Sequence, residues 1–464
     1  MPPSKDRQTI KVQAERAVLA AVRLPNDEFD AGDPFGELRS LCEQAGALPV
    51  GEIEQFRDRP EAGTYMGRGK LDELRGLCDR LEAEVIVFDH ELSPKQIGKI
   101  EEKTERKVID RSELILDIFA SRATTHEAKL QVELAQLEYT YPRLRAMWSH
   151  LERVVGGSPQ GVGTRGPGEQ QLEIDRRLVQ RRKNMLQREL RQIQERRERE
   201  VADRTDRHFT VGLVGYTNAG KSTLFNTLTA GGAYADDRLF ATLMTRTRGW
   251  NLGNGAEAML SDTVGFVRDL PHHLVASFRA TLEQTIHADL LLIVLDISTP
   301  GAELRYRTVQ RTLDDLLGPP PEPGHEPRVD PAFRKVDATR PPPERLVLLN
   351  KVDRLEDARE ILVWQQRVPG SIAISALAPE KGGDGRGLDE LTAAVRERVL
   401  GRDGVYRIEL PMSASRAIST LERLGEVIER EYGADRVVLR VRVGAKVLDD
   451  LRAGGVRLDS ELVG

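Results

Sequence analysis

The spacing of apolar residues changes character along the chain and divides it before any chemistry is considered. Between Arg16 and Asp110 short apolar runs alternate with amphipathic stretches. Arg16–Leu24, Glu84–Asp89 and Lys107–Asp110 read as strands. Phe35–Ala45, Lys70–Glu82 and Ser93–Glu105 read as helices, the last with a serine cap and proline at its first position. Strands alternating with helices predict a small α/β domain with a mostly parallel sheet.

From His126 the period becomes purely helical. Leu130, Leu134, Leu137, Tyr141 and Leu144 form one narrow stripe. Residues 156–168 (GGSPQGVGTRGPG) break it with a glycine-rich loop. A second amphipathic stretch follows from Glu169 to about Ala202, with Leu172, Leu178, Met185, Leu186, Leu190 and Ile193 as its apolar side. Two such helices around a loop predict a helical hairpin, and its dense charges read mostly as a solvated face.

Strand–helix alternation returns at His208. Thr210–Gly215, Glu257–Ser261, Leu290–Ile297, Arg345–Leu349 and Ser371–Ser375 read as strands. Leu317–Pro343, rich in proline and charge, reads as a surface insertion or disordered loop. A tail with a strand (Tyr406–Leu410), a helix (Ser415–Tyr432) and a strand (Val437–Val443) reads as a small α+β domain. The boundaries expected are 1–112, 113–207, 208–402 and 403–464.

Composition narrows the setting. At 464 residues, 39% hydrophobic and 31% charged, the chain has the make-up of a multi-domain globular protein. A net charge of -5 excludes a polycation, so any nucleic-acid contact must be local. Two cysteines, Cys42 and Cys78, make neither a disulfide framework nor a metal-ligand pattern. The start has no signal-peptide core and the longest apolar run, Leu290–Leu295, is far short of a membrane span. A cytoplasmic monomer is expected.

The chemistry lies in the third segment. Gly215-Tyr216-Thr217-Asn218-Ala219-Gly220-Lys221-Ser222 matches the phosphate-loop pattern between a strand and a helix, with Thr223 next. Its glycines let amides turn towards phosphates, Lys221 supplies a point charge to the β- and γ-phosphates, and Ser222 a hydroxyl for Mg²⁺. Asp262-Thr263-Val264-Gly265 follows a strand about 40 residues on from Ser222. Asp262 is expected to hold Mg²⁺ through water and Gly265 to bring its amide to the γ-phosphate. Thr242, between them, is the candidate third metal contact and switch residue. Lys221, Thr242 and Gly265 are the candidate catalytic set.

Asn350-Lys351-Val352-Asp353 selects the base. The Asp353 carboxylate can accept from both guanine N1–H and the exocyclic amine, a pair adenine lacks. Asn350 is expected to brace the loop and Lys351 to lie over the base. Ser375-Ala376-Leu377 is expected to offer an amide to guanine O6. GTP and GDP are the ligands implied. Phe266 follows Gly265 where many switch GTPases carry a water-orienting glutamine. Hydrolysis must then use another route or a partner that completes the site.

The stretches GVGTRGPGEQQLEIDRR, VGYTNAGKSTLFNTLT, DTVGFVRDLPHHLVASFRATLEQ, NKVD, YMGRGKLDEL and SRATTHEAKLQVELAQLEYTYPRL together resemble the HflX family of translation-associated GTPases, from about residue 16 to about residue 400. The resemblance implies a P-loop GTPase domain preceded by a small α/β domain and a helical hairpin, with a small α+β domain after it. It also implies binding to the large ribosomal subunit and the splitting or rescue of stalled ribosomes. The hairpin tip, with Gly163, Arg165, Gly166 and Gly168, is then the expected RNA contact. Related GTPases with a non-glutamine switch use an asparagine at the place of Asn218 to bind K⁺ beside the phosphates. FATLMTRTR departs from the family's usual D-P-T after FATL, and GPGEQQLE from GPGETQLE.

Two other functions compete. One is a GTPase of subunit assembly or tRNA modification. The other is an ATP-driven RNA remodeller using the N-terminal domain, for which Gly67-Arg68-Gly69-Lys70 before a helix is the only local support.

Overall fold

The computed structural model describes residues 15–25, 27–155, 177–193, 195–196, 208–229, 245–253, 255–268, 288–317, 342–377, 384–433 and 435–463. Thr242, the 156–168 loop with Gly163, Arg165, Gly166 and Gly168, and nearly all of the proline-rich insertion lie outside these residues.

The N-terminal domain is a four-stranded, wholly parallel sheet: β1 (Arg16–Arg23), β2 (Leu48–Phe56), β3 (Val85–Phe88) and β4 (Lys107–Asp110), in the order β2-β1-β3-β4. Seven of the eight β1 residues are buried, as a central strand with helices on both faces requires. Helices α1 (Gly36–Gln44), α2 (Arg68–Arg80), α3 (Pro94–Thr104) and α4 (Arg111–Arg122) cover it. Ser93 caps α3 in a full capping box with Gln96, as the serine–proline signal predicts. The sequence pattern misses β2 and α4. As an edge strand β2 has a single fully buried residue, Ile53, and so carries little period-two signal.

Helix α5 (His126–Val155) and the helix over residues 177–193 pack as a hairpin on Leu130, Leu134, Leu186 and Leu190, with Leu137 and Ile193 beside them. Two residues assigned to the apolar side are not there: Met185 is 48% and Leu178 is 56% exposed. Met185 sits about 100° around the helix from Leu186, outside the narrow seam. Part of the charge run pairs across that seam. Arg182 donates to both oxygens of Glu133, and Lys183 pairs with Glu138 at 2.8 Å.

The third domain is a six-stranded sheet in the order β10-β9-β8-β5-β7-β6. β5 (Thr210–Gly215), β7 (Ala256–Asp262), β8 (Leu290–Asp296), β9 (Glu344–Asn350) and the two-residue β10 (Ile372–Ala373) are parallel. The unforeseen edge strand β6 (Arg246–Gly253) runs antiparallel to β7. All seven residues of β8 are buried, which accounts for the apolar run 290–295.

The tail is a four-stranded antiparallel sheet, β12-β13-β11-β14, built from β11 (Asp403–Pro411), β12 (Glu426–Tyr432), β13 (Arg436–Gly444) and β14 (Asp459–Leu462). Helices 415–424 and 445–453 complete a β-α-β-β-α-β ferredoxin-like order. The single helix expected over Ser415–Tyr432 is therefore corrected. It stops at Leu424, Gly425 is extended, and Glu426–Tyr432 pairs with β13. A methyl on Gly425 would lie 2.7 Å from Val441 and 2.9 Å from the Arg442 carbonyl, so the crossover needs glycine there. Tail and GTP-motif domain share one core, in which Leu348 and Val395 join Ile408, Leu421 and Leu439.

Candidate functional site

β5 ends in Gly215, whose φ of +151° and closeness to β8 leave no room for a side chain: a methyl would be 2.3 Å from the Val294 carbonyl. The loop then turns through Asn218 (φ 59°) and Gly220 (φ +98°) into the helix Lys221–Leu228. Lys221 folds back beneath this loop, donating to the carbonyls of Gly215 at 3.1 Å and Tyr216 at 2.7 Å. Burial lowers its pKa from 10.5 to about 8, against the opposing charge of Asp262.

The Ser222 hydroxyl donates to Asp262 Oδ2 at 2.7 Å, and Asp262, at the end of β7, is fully buried. A buried carboxylate and a hydroxyl converging at the mouth of a phosphate loop form the hard-oxygen set that suits Mg²⁺. Thr242 cannot be placed, as it lies outside the described residues.

The residues expected to select the base gather beside the loop. Asn218, Gly220, Thr223, Asn350, Lys351, Asp353, Ala376 and Leu377 line one cavity of about 170 Å³. Asn350 ties three loops together: its Nδ2 donates to the Ala219 carbonyl at 2.7 Å and its Oδ1 accepts from the Ala376 amide at 3.0 Å. Thr227 adds a bond to the Ala376 carbonyl at 2.8 Å. Asp353 is exposed at the cavity, Ser375 is fully buried, and Val352 anchors the turn in the core. Lys351, at φ 63°, reaches the Asn218 carbonyl at 2.9 Å and Asp296 at 2.7 Å. Sequence reasoning misses Asp296. Its only signal is its place at the end of β8, beside the end of β9.

Gly265 packs directly on the phosphate loop. A methyl there would lie 2.8 Å from Thr217 and 3.0 Å from Lys221 Nζ. The chain after Asp262 extends the β5–β7 pairing: Phe266 donates to the Gly215 carbonyl at 3.0 Å and accepts from the Thr217 amide at 2.8 Å. Phe266 is itself buried against Tyr216, so the residue in the usual glutamine position serves packing. The Gly67–Lys70 string opens α2. The Gly67 amide is taken by Gln55 at 2.8 Å and Lys70 pairs with Glu73 at 3.0 Å.

A phosphate loop between β5 and its helix, an acidic strand end beside it and an asparagine-braced base cavity define a P-loop GTPase. Family models match in chain order: "GTP-binding GTPase N-terminal" over residues 33–120, "GTP-binding GTPase Middle Region" over 122–204 and "50S ribosome-binding GTPase" over 210–322. The chain is 39% identical over 445 residues to GTPase HflX of Lacrimispora saccharolytica, covering 95% of this chain and 96% of the relative. It is 39% identical over 437 residues to GTPase HflX of Escherichia coli K12, covering 94% of each. Among solved structures, a GTP-binding protein from Sulfolobus solfataricus in complex with GDP matches at 24% identity with a TM-score of 0.40, covering 82% of this chain and 98% of that one. The chain belongs to the HflX family of GTPases, and it hydrolyses GTP. No helix among the described residues is long and apolar enough to cross a membrane.

Proposed function

We propose that this GTPase binds the large ribosomal subunit in its GTP state and splits or rescues stalled ribosomes. The observation that supports the guanine half is the Asn350 brace to Ala219 and Ala376, beside a cavity that Asp353 also lines. The "50S ribosome-binding GTPase" description of the matched family supports the ribosomal half.

Each residue has one task in this reading. Lys221 and the loop amides hold the β- and γ-phosphates, and Asp353 reads guanine N1–H and the amine. Ser222 and Asp262, with Thr242, would hold Mg²⁺, which would supply positive charge to neutralise the phosphates. Lys351 braces the loop from Asn218. Gly265 brings an amide to the γ-phosphate, and the hairpin tip around Arg165 contacts ribosomal RNA, where arginine can stack on a base or pair with phosphate.

Sedimentation of 70S ribosomes with the full chain and a non-hydrolysable GTP analogue tests this. Free subunits, with the protein on the large one, are expected with the analogue and not with GDP. Intact 70S particles with no bound protein in either state would refute the ribosomal role.

A further inference from the structure

β8 ends at Asp296 and β9 at Asn350, and the two residues face each other in the parallel register. Asn350 opens the motif whose Lys351 and Asp353 line the cavity beside the phosphate loop. Asp296 belongs to no nucleotide motif, yet it is 5% exposed. A carboxylate kept that far from water needs partners for its charge.

Its two oxygens have separate partners. Oδ1 accepts from the Ser298 amide at 3.0 Å and from the Ser298 hydroxyl at 2.6 Å, closing the turn that follows β8. Oδ2 pairs with Lys351 Nζ at 2.7 Å. The turn uses one oxygen, and an asparagine would supply that as well as an aspartate does. The second oxygen and the negative charge are not needed for the turn, and they meet Lys351.

Lys351 is held in the left-handed region, at φ 63° and ψ 34°, where a residue with a Cβ persists only when its surroundings fix it. Its side chain is mostly buried, and its ammonium has a second oxygen partner, the Asn218 carbonyl at 2.9 Å. Asn218 belongs to the phosphate loop and lines the same cavity as Lys351. The ammonium is thus fixed between the end of β8 and the phosphate loop, with the lysine itself on the cavity wall. The Ile297 amide donates to the Asn350 carbonyl at 3.3 Å, which keeps the two strand ends together behind this pair.

We propose that Asp296 is a positioning residue for the base: its Oδ2 fixes the Lys351 ammonium against the phosphate loop, so that the lysine stands as a preset wall of the cavity that takes guanine. This rests on the guanine reading of that cavity. Without the Asp296 charge Lys351 keeps a single carbonyl partner, and its long, strongly hydrated side chain gains freedom to turn towards water. Binding must then order it again, which lowers affinity. The cost arises on the base side of the site, so GDP and GTP bear it equally.

The test uses the full chain carrying Asp296→Asn, which keeps an oxygen for the Ser298 turn and discards the charge, alone and together with Lys351→Met. Affinities for GDP and GTPγS are measured by titration. Asp296→Asn should weaken both nucleotides by about fivefold or more, and by the same factor. In the Lys351→Met background the same substitution should change affinity by less than about twofold, because the group it acts through is gone. Ser298→Ala, which loosens the turn and leaves the charge on Lys351, should also cost less than about twofold. Unchanged affinity in Asp296→Asn would overturn the proposal. An equal loss in the Lys351→Met background would show that Asp296 acts without Lys351 and overturn it too. So would a loss in Ser298→Ala as large as about fivefold, since the turn and not the charge would then matter; this variant decides even where Asp296→Asn does not fold. Failure of the guanine reading is seen separately, as an unchanged GTP preference in Asp353→Asn, while the coupling between Asp296 and Lys351 is read on GDP alone.

Discussion

The Asn350 side-chain amide donates to the Ala219 carbonyl at 2.7 Å across 131 residues of sequence, and its oxygen accepts from the Ala376 amide. One buried residue thereby ties the phosphate loop to the loop that carries Ala376. Removing it leaves a buried carbonyl and a buried amide without that partner, at about 1–3 kcal/mol each. Asn350→Ala should therefore weaken GDP and GTP binding by about 10- to 100-fold and lower thermal stability. Isothermal titration and thermal melts read both; unaltered affinity would remove Asn350 from the site.

Asp353→Asn should shift preference from guanine to xanthine nucleotides, because the amide presents a donor where guanine also donates. Affinities for GTP and XTP measure this. A loss of GTP binding of about 100-fold, with XTP bound as well as wild type binds GTP, is expected.

Lys221 sets stability against function. Its folded pKa of about 8 lies below 10.5, so the unfolded chain binds more protons between those values and stability rises with pH across that window. Below pH 8 both states are charged and burial of the ammonium opposes folding in full. The gap corresponds to up to about 3 kcal/mol, reduced by the lost bonds to Gly215 and Tyr216. Lys221→Met should raise the nucleotide-free melting temperature at pH 7, lose that advantage above pH 10 and abolish GTP hydrolysis. A lower melting temperature at pH 7 would show that the two carbonyl bonds outweigh desolvation.

Asn218 is exposed on the rim of the loop at φ 59°, beside the 170 Å³ cavity. If it helps to hold K⁺ in place of missing positive charge, turnover should be several-fold faster in KCl than in NaCl at equal ionic strength, and Asn218→Ala should abolish the difference. Equal rates of wild type in the two salts would rule K⁺ out.

What the sequence determined on its own is whatever is encoded locally. Gly215 and Gly220 are glycines because the backbone there has positive φ and an added methyl would lie 2.3 Å from a neighbouring atom, and Ser93-Pro94 marks a helix start by its own hydrogen bonds. The buried strands β1, β3, β5, β8 and β9 announce themselves as continuous apolar runs, and the nucleotide motifs sit at the ends of three of the GTPase strands. The edge strands β2 and β6 stay hidden because half-exposed residues leave little pattern. Glu426–Tyr432 reads as helix by its local pattern because only its pairing with β13 makes it a strand.

What the segment after Asp262 touches is fixed by packing between distant parts of the chain. Val264, Val267 and Arg268 look like an ordinary switch sequence, and nothing in their spacing names Leu38, Asp89 or Arg111, which lie more than 150 residues away. A buried ion-pair cluster draws its members from the ends of separate strands and from two sheets. The charges that neutralise Asp89 meet only once both domains have folded and packed, so their partnership is a property of the assembled fold and has no local signature in the chain.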